Sequence, residues 1–585
     1  RFREKPDLAT AESFLRDGNF DWNAGIFVFR VSDMLAHFHE HAPQMVDAVS
    51  QSRSLGRREG GSREGGHREG ASLYLDPDAF AASPAESLDY AIMEKIDTIG
   101  LVPSQFDWSD LGSWDAMYEA SVEPHDAARN VTMGPVTTHD VTRSYLRSDG
   151  GTVVAAAGVQ DLVVVADKDA VLVVDRNHSH LVKQLHAEAT RLCDGDVKTQ
   201  ALAFLSGPAL DLWAGAGLDP SGGVREHLTL EGSPANDAHK RFRVLPRQIW
   251  SFCRMLHAGF VEGEQAAKLK TTVQALLADM ASLQGEDGGF PHLLNPDNTV
   301  KDAKRDTYDH CFVLLACAAA WKAMGSAEAK TVGAATLAYM EDVLADHAMG
   351  GFAENDAATL PRRANPHMHY LEAMLEWHWA TGNPIWLDRA EKMIDLFEAH
   401  FFRPDTGTLA EFFEADWTLR NEGASALVEP GHHYEWSWLL TRFDRVRPRA
   451  GLAAKARILF AHAKAYGHQS ATGFAGDFIN ADGSGPDAAL STKPLDRARC
   501  WPQCEALKAS LILAEDGVNG AHAHARQMAR HLLQHYLATD DVGSVVKGGW
   551  MDVHDSDGDP ATKLMPASTF YHIVSALEAL VAADI

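Results

Sequence analysis

Six residues that could do acid–base or binding chemistry recur at similar intervals along the second two-thirds of the chain. Roughly sixty to seventy positions separate each from the next: Arg247, His310, His369, His432, Trp501 and His572. A glycine turn followed by an apolar or aromatic residue, such as Gly350-Gly351-Phe352, lies between successive members. A repeat of this length holds two helices, and such repeats stack to bury their apolar faces. Six helical pairs closed into a ring would place every polar helix start at one end, around a single pocket.

Carboxylates follow several of these residues at helical spacing. Two histidines have a glutamate three positions later, as His369–Glu372 and His432–Glu435, and Trp501 has one four positions later, Glu505. On a helix these spacings put both partners on one face, about one turn apart. A carboxylate in that position orients an imidazole and raises its basicity, and histidine can exchange a proton near neutral pH. The pattern therefore predicts an acid–base site, in which Arg247 stabilises a developing oxyanion.

Two other interpretations apply to the same residues. A single histidine on a helix is commonly structural, and we expect this of His367, His378 and His433. A zinc site is the second alternative, with ligands His310, His369, His432 and His572. The sequence has no short-range ligand pair such as His-Glu-x-x-His, and the carboxylates are placed as histidine partners. We therefore favour acid–base chemistry without a metal.

Composition limits the class of protein. The chain has 585 residues, which predicts two or three domains. Its formal net charge of −28 argues against nucleic acids and anionic membranes as partners, since both require basic patches. No stretch approaches the roughly 20 apolar residues that span a bilayer. We expect a cytoplasmic enzyme that binds a small molecule, with a homodimer as an open alternative.

The chain divides into segments of different character, and we predict a multidomain, mainly α protein. Residues 1–125 mix helix and strand signals and contain an Arg-Glu-Gly-rich insert at about 51–72, which we expect to be disordered. Residues 126–190 contain short valine-rich runs typical of a small β-rich domain. Residues 195–585 show helical periodicity without strand–helix alternation, which favours an (α/α)6 barrel over a Rossmann sheet.

The helical segment resembles the N-acylglucosamine 2-epimerase family, which includes mannose and other aldose–ketose isomerases. The motifs that carry the resemblance are PRQIW (246–250), YDHCFVLLA (308–316), NPHMHYLEAML (365–375), PGHHYEWSWLL (430–440), CWPQCEAL (500–507) and YHIVSAL (571–577). They occur in order from about residue 200 to the end. The resemblance implies an (α/α)6 barrel and proton transfer next to a sugar carbonyl, without a cofactor.

Carried over by position, the resemblance implies that His310, His369, His432 and His572 line the site. His572 and His369 would be the acid–base pair, with His432 a third candidate. The residues expected to bind and polarise the open-chain sugar are Arg247, Glu372, Glu435, Trp501, Glu505 and Tyr308. Proton transfer through a cis-enediolate gives aldose–ketose isomerisation, and return of the proton to the opposite face of carbon 2 gives epimerisation. We expect the isomerase, with N-acylglucosamine 2-epimerase activity as the alternative.

The front segment, about residues 1–185, resembles the C-terminal part of mannose-1-phosphate guanylyltransferases. The matching words are FREKPD (2–7), FDWNAGIFVFR (20–30), SLDYAIMEK (87–95) and FDWSDLGSW (106–114). By position, Glu4 and Lys5 would contact a sugar phosphate, Asn23 would belong to the same remnant, and Asp110 would bind magnesium in a complete domain. The glycine-rich nucleotide loop of that family lies upstream of these motifs, so we expect a truncated α/β segment. This domain company suggests interconversion of mannose 6-phosphate and fructose 6-phosphate, feeding GDP-mannose synthesis; guanylyltransferase activity is a further alternative.

Overall fold

A computed structural model divides the chain into two compact units, residues Arg1–His186 and Ala187–Ile585. It describes residues 2–583 except 56, 60–71, 75–76, 98, 104–110, 112, 122–124, 150–151, 168–169, 183–184, 186–196, 421–425, 487–495 and 539–544. Among the described residues, no helix has the length and apolar content that crossing a membrane would require.

The first part of the N-terminal unit is helical. Its helices are α1 (Leu8–Asp17), α2 (Val31–His41), α3 (Pro43–Leu55), α4 (Pro77–Ala81) and α5 (Trp114–Glu119). Asp7 caps α1 by accepting a hydrogen bond from Thr10 N, and Gly18 ends it with a left-handed backbone. A small core of Met34, Ala91, Ile92 and Met93 packs α2 against the turn at Asp89–Met93.

Secondary structure reaches both edges of the insert that the sequence predicts to be disordered. Helix α3 ends at Leu55, and strands β1 (Arg57–Glu59) and β2 (Ser72–Tyr74) pair antiparallel. Residues 56 and 60–71, which make up most of the insert, lie outside the described residues, so the expectation of disorder stays a prediction.

The second part of the N-terminal unit is a coil of short, mostly parallel strands. These are β3 (Val131–Met133), β4 (Val136–His139), β5 (Tyr145–Ser148), β6 (Val154–Ala157), β7 (Leu162–Ala166) and β8 (Val171–Asp175). Strands β3, β5 and β7 stack in parallel register, as do β4 and β6, and β8 returns antiparallel to β7. Leu146 and Val164 pack against Val154 of the β4–β6 stack in the interior of the coil, whereas Tyr145 and Val163 pack against Tyr118 of α5. The predicted β-rich segment is thus a parallel β-coil.

The C-terminal unit is built around six inner helices that form a closed ring. They are α7 (Val244–His257), α9 (Thr307–Met324), α11 (Asn365–Thr381), α13 (Pro430–Val446), α15 (Cys500–Glu515) and α17 (Phe570–Ala582). Each packs against the next, and α17 packs back against α7. These helices are buried around most of their circumference, as the run Cys311–Ala320 illustrates. The predicted (α/α)6 barrel is confirmed.

An outer layer covers the ring. Its helices are α8 (Gly263–Ser282), α10 (Ala327–Tyr339), α12 (Ile385–Leu396), α14 (Leu452–Tyr466) and α16 (Ala521–His531), and each packs on the inner helix that precedes it. The sixth position is filled by helical residues 197–213, which include α6 (Leu210–Trp213); Trp213 stacks on Trp550 and on Phe570 of α17. The outer helix α8 buries one face, whereas the inner helix α9 is buried around most of its circumference.

Short two- and three-residue strands lie at the end of the barrel where the inner helices begin. They are His227–Thr229, Lys240–Arg241, Leu293–Leu294, Val300–Asp302, Arg362–Arg363, Phe402–Arg403, Thr408–Leu409, Phe412–Phe413, Leu427–Val428, Ile479–Asn480, Ala498–Arg499, Val553–His554 and Leu564–Pro566. Several end just before an inner helix, where Asp306 caps α9 and a proline opens the first turn of α11 and of α13. These features fix where each inner helix begins, and therefore which residues face the mouth of the ring.

Candidate active site

All six recurring residues lie within the first five residues of an inner helix. Arg247 is in α7, His310 in α9, His369 in α11, His432 in α13, Trp501 in α15 and His572 in α17. Because the inner helices run in the same direction around the ring, their first turns lie at one end of the barrel. The structure brings five of the six together there and directs His310 elsewhere.

His369 is held by a buried carboxylate. Its Nδ1 lies 3.0 Å from Glu372 Oε2, and the hydroxyl of Tyr571 donates to the other oxygen of Glu372. Burial lowers the pKa of His369 below its usual value, although the Glu372 carboxylate opposes this change. The imidazole is therefore neutral at pH 7, with its proton on Nδ1 toward Glu372. Within the described residues Nε2 has no hydrogen-bond partner, so its lone pair is available to a ligand.

His572 is held in the same way by a different carboxylate. Its Nδ1 lies 2.7 Å from Glu505 Oε1, while Trp438 Nε1 donates to Glu505 Oε2 at 2.9 Å. Burial lowers the pKa of His572 to about 4 despite the attraction of Glu505. In the described part of the chain its Nε2 likewise carries no hydrogen bond. The site thus contains two neutral imidazoles, each oriented by a carboxylate and each presenting a basic Nε2.

Glu435 lies between these two pairs and does not bind His432. Its Oε1 is 3.8 Å from His369 Nδ1, and its carboxyl group clusters with both Glu505 and His572. Burial, together with the charges of Glu505 and Glu372, raises the pKa of Glu435 well above its usual range. The predicted His432–Glu435 hydrogen bond does not form, because His432 Nδ1 contacts Glu411 Oε1 at 3.0 Å instead. Glu435 is a neutral carboxylic acid in the middle of the cluster.

His432 carries a positive charge. Its Nδ1 lies 3.0 Å from Glu411 Oε1, and its Nε2 lies 3.0 Å from the amide of Asn365. Burial disfavours the charge, but Glu411 and neighbouring carboxylates outweigh it and raise the pKa of His432 to about 10. The atom of Asn365 in this contact is Nδ2; an imidazolium, which has a proton on both nitrogens, requires the amide to be turned so that Oδ1, an atom that otherwise has no partner, accepts from Nε2. The three imidazoles of the site therefore differ in charge, with one acid and two bases.

Arg247 and three aromatic rings complete the mouth of the ring. Arg247 Nη2 donates to the Tyr308 hydroxyl at 2.6 Å, and its guanidinium lies over the Phe312 ring at 4.0 Å. Its hydrogen bonds are to a phenol and to the backbone oxygen of Ser568, and among the described residues no carboxylate forms an ion pair with it. The ring of Trp501 lies 5.4 Å from the His432 ring and 5.6 Å from the His572 ring. Trp501 therefore lies beside two of the three imidazoles of the site.

His310 does not line the site. Its Nδ1 donates to the carbonyl of Asp306 at 2.7 Å, its Nε2 accepts from Phe290 N at 2.9 Å, and its ring stacks on Tyr339 of outer helix α10. Both nitrogens are thus used by the backbone, and the prediction of a catalytic role is wrong. The same bond to a glycine turn recurs in other repeats, as Phe352 N to His367, Leu409 N to His433 and Ala475 N to Gln503. In α9, His310 is the residue that makes this structural bond to the glycine turn.

The predicted substrate-binding carboxylates are occupied by protein donors. Glu372 accepts from His369 and Tyr571, and Glu505 accepts from His572 and Trp438 and pairs with Lys508 at 2.8 Å. They position the imidazoles rather than touch a sugar, because their oxygens already face these donors. Sequence reasoning missed four contributors to the site: Asn365, Glu411, Lys508 and Tyr571. Lys508 had a signal, since a lysine three residues after Glu505 interrupts an apolar run; Glu411 had none, since it lies in a loop.

The carboxylate clusters do not suit a metal ion. The groups His369–Glu372–Glu435 and Glu435–Glu505–His572 have ligand atoms within 4.8 Å of one another. However, Glu505 is already in contact with the ammonium of Lys508, and Glu372 faces the Tyr571 hydroxyl and the His369 ring. Since N–H and O–H donors point at these oxygens, a cation would have to displace them. The donor set fits protons better than a metal.

The structure describes three of the four site residues predicted in the N-terminal unit. Glu4 N donates to Glu94 Oε1 at 2.7 Å, and Lys5 Nζ lies 3.8 Å from Glu4. Asn23 accepts a hydrogen bond from Gly25 N at 3.1 Å, which shapes a turn. Asp110, the predicted magnesium ligand, lies outside the described residues. Within the described residues, no contact joins Asn23 to Glu4 or Lys5.

A closed (α/α)6 barrel with three imidazoles of unequal charge at its mouth defines an acid–base enzyme of the sugar isomerase and epimerase class. The comparisons agree with that class. Residues 222–576 match the N-acylglucosamine 2-epimerase (GlcNAc 2-epimerase) family. A mannose-6-phosphate isomerase of Rhizobium meliloti (strain 1021) is 32% identical over 401 residues, which cover 65% of this chain and 97% of the relative. The chain belongs to the N-acylglucosamine 2-epimerase family.

Solved structures show the same fold at lower identity. A D-mannose isomerase aligns with a TM-score of 0.56 and 21% identity over 65% of this chain and 97% of that one. The cellobiose 2-epimerase from Spirochaeta thermophila DSM 6192 aligns with a TM-score of 0.57 and 21% identity over 67% and 97%. Both have the barrel in common with the C-terminal unit.

The N-terminal unit has a different set of relatives. Residues 1–127 match the nucleotidyl transferase family, and residues 136–188 match the MannoseP isomerase/GMP-like beta-helix domain. A mannose-1-phosphate guanylyltransferase of Escherichia coli (strain K12) is 37% identical over 185 residues, which cover 32% of this chain and 36% of the relative. The chain therefore spans little more than a third of the length of that relative. The predicted fusion of the two families is confirmed.

Proposed function

We propose that this chain interconverts mannose 6-phosphate and fructose 6-phosphate by proton transfer through a cis-enediolate. The observation that carries the proposal is the difference in charge among the three imidazoles: His369 and His572 are neutral and present Nε2, and His432 is an imidazolium. Groups whose environments separate their pKa values in this way are suited to act as base and acid in one reaction. The mannose-6-phosphate isomerase relative and the guanylyltransferase-like unit support a mannose substrate.

Each step can be assigned to a side chain. With the open-chain aldose bound, His572 Nε2 takes the proton on carbon 2, and His432 gives a proton to the oxygen on carbon 1. Arg247 stabilises the enediolate charge, because its guanidinium forms no ion pair with a carboxylate among the described residues. His369 Nε2 then takes the hydroxyl proton on carbon 2 as the ketone forms, and His572 returns its proton to carbon 1. Solvent exchange between His369 and His432 restores the starting state, so protons balance over the cycle.

This mechanism requires no metal ion, and the donors that face Glu372 and Glu505 support that proposal. The same geometry supports a second candidate, 2-epimerisation. His369 and His572 both present a basic nitrogen, and a proton delivered from the second of them to carbon 2 would invert that centre. The two outcomes use the same first step and differ only in where the proton returns.

Incubation in heavy water tests the proposal. Mannose 6-phosphate should give fructose 6-phosphate, seen by NMR, with deuterium on carbon 1 whenever the His572 proton exchanges with solvent before its return; free mannose and N-acetylglucosamine should turn over more slowly. The His572→Ala variant should lose turnover, while the matched His310→Ala variant should keep it in the folded fraction. Deuterium on carbon 2 of an epimerised product would establish the epimerase instead, and no product from any of the three sugars would refute both. A parallel incubation with mannose 1-phosphate, GTP and magnesium tests the guanylyltransferase alternative.

A further inference from the structure

Lys508 is a buried lysine in the middle of the site that the mechanism above does not use. It lies in α15, one turn after Glu505, and its Nζ is 2.8 Å from Glu505 Oε2. The Trp438 ring lies 4.2 Å and the Tyr571 ring 5.9 Å from the ammonium, whose charge also acts on Glu435 and Glu372. Since burying a lysine is costly, its placement against one particular carboxylate needs an explanation.

Three buried carboxyl groups lie so close together in this cluster that they cannot all be ionised. Glu372, Glu435 and Glu505 are all buried, and Glu435 is within reach of both of the others. Like charges this close in a low-dielectric site do not all ionise, so at least one carboxyl group holds a proton. The function of the site depends on which one it is.

The donors around each carboxyl group indicate which of the three holds the proton. Glu372 faces His369 and Tyr571, and Glu505 faces His572, Trp438 and Lys508. Glu435 Oε1 has no hydrogen-bond partner in the described structure. The remaining charged groups that face the cluster are Arg247 of α7 and His432 of α13. Only Glu505 has a formal cation in direct contact.

We infer that Lys508 is a positioning residue that fixes negative charge on Glu505, behind His572, and leaves the shared proton on Glu435. This inference rests on the proposed function. An anionic Glu505 accepts the Nδ1 proton of His572, which keeps the lone pair on Nε2, where the base must act. Without the ammonium, Glu505 and Glu435 would compete for the proton, and a protonated Glu505 would no longer hold His572 in that tautomer. Burial raises the pKa of Glu505, but the charges and hydrogen bonds of Lys508 and His572 outweigh it and lower that pKa to about 2, which is consistent with this account.

Replacing Lys508 tests the inference. Lys508→Met keeps the aliphatic length and removes the charge, and Lys508→Arg keeps the charge. A matched control is Lys322→Met, because Lys322 also lies over a tryptophan ring from an inner helix, 4.7 Å from Trp379, but in the last turn of α9. We expect Lys508→Met to lower kcat for mannose 6-phosphate at least about tenfold with little change in KM, since loss of a contacting charge shifts a carboxyl pKa by a unit or more. Lys508→Arg should recover most of the rate, and Lys322→Met should match the parent.

A second measurement separates this inference from the proposed function. In protein labelled with 15N-histidine, the His572 ring should show the Nδ1–H tautomer in the parent and in Lys508→Arg. In Lys508→Met, that signal should move toward a mixture of tautomers. An unchanged His572 tautomer and an unchanged kcat in folded Lys508→Met would overturn the role of Lys508. A parent protein with the Nδ1–H tautomer but no turnover of any sugar would refute the function and leave the positioning role standing.

Discussion

The charge of His432 depends on Glu411, and replacing that residue gives the sharpest prediction. Glu411→Gln keeps an oxygen acceptor near His432 Nδ1 but removes the principal charge that raises the pKa of His432 to about 10. If this pKa falls to its ordinary value of about 6.5, only about 3% of the ring is protonated at pH 8, against nearly all of it in the parent. Because the protonated ring is the proposed acid, kcat should fall about 30-fold at pH 8 and less than twofold at pH 6.

The assay is a pH profile of kcat for mannose 6-phosphate from pH 5.5 to 9. The matched control is Glu414→Gln, because Glu414 lies in the same loop but pairs with Arg420 instead of an imidazole. We expect the basic limb of the profile to move to lower pH in Glu411→Gln and to stay in place in Glu414→Gln. A ratio of variant to parent activity that is the same at pH 6 and pH 8 would show that Glu411 does not control the charge of His432.

The same pair makes stability depend on pH. The folded-state pKa of His432 lies above its unfolded value, so its contribution is fully present below about pH 6.5 and is lost as pH rises through about 10. The shift corresponds to at most about 5 kcal/mol at the low-pH end of this window. The difference in free energy of unfolding between the parent and Glu411→Gln should therefore shrink between pH 7 and pH 10.

Three further predictions concern other parts of the barrel. His310→Ala should lower the free energy of unfolding by about 1–3 kcal/mol, since Phe290 N loses its acceptor, while kcat per folded molecule stays within twofold; a large loss of kcat with normal urea denaturation would contradict this. Tyr571→Phe should reduce kcat severalfold with little change in KM, because Glu372 loses one donor and holds His369 less firmly; steady-state kinetics measure it, and an effect on KM alone would assign Tyr571 to substrate binding. Dialysis against EDTA should leave isomerase activity unchanged, and recovery by added zinc or manganese after a loss would establish a metal requirement.

The sequence was sufficient for the barrel because its repeats are visible at two levels. Inner helices are marked by long apolar runs that begin after a proline or an aspartate cap, and glycine turns mark the loops between them. The sequence was not sufficient to show which residues in the first turn of an inner helix face the mouth of the barrel. His310 is the counterpart of His367, since both accept from a glycine-turn N–H, and His369 lies two residues after His367, a rotation of about 200°. That rotation separates a ring that binds a glycine turn from a ring that faces the site.

The helical spacing of the sequence also could not predict contacts between distant parts of the chain. Glu435 follows His432 at the correct spacing for a pair, yet the loop residue Glu411 takes His432 instead. His572 finds its carboxylate on α15, and Tyr571 reaches Glu372 on α11 across the ring. Helical spacing predicts which residues share a face of one helix, whereas these partners are set by how neighbouring helices pack, which no local window contains.

The ring is closed by two helices that lie far apart in the sequence. Helix α17 supplies His572 and packs against α7, and Arg254 of α7 donates to both oxygens of Glu578 at 2.9 and 2.6 Å. More than 300 residues separate α7 from α17. The flanks of α7 and α15 that α17 covers therefore stay exposed until α17 has been synthesised, and the site can assemble only after that point.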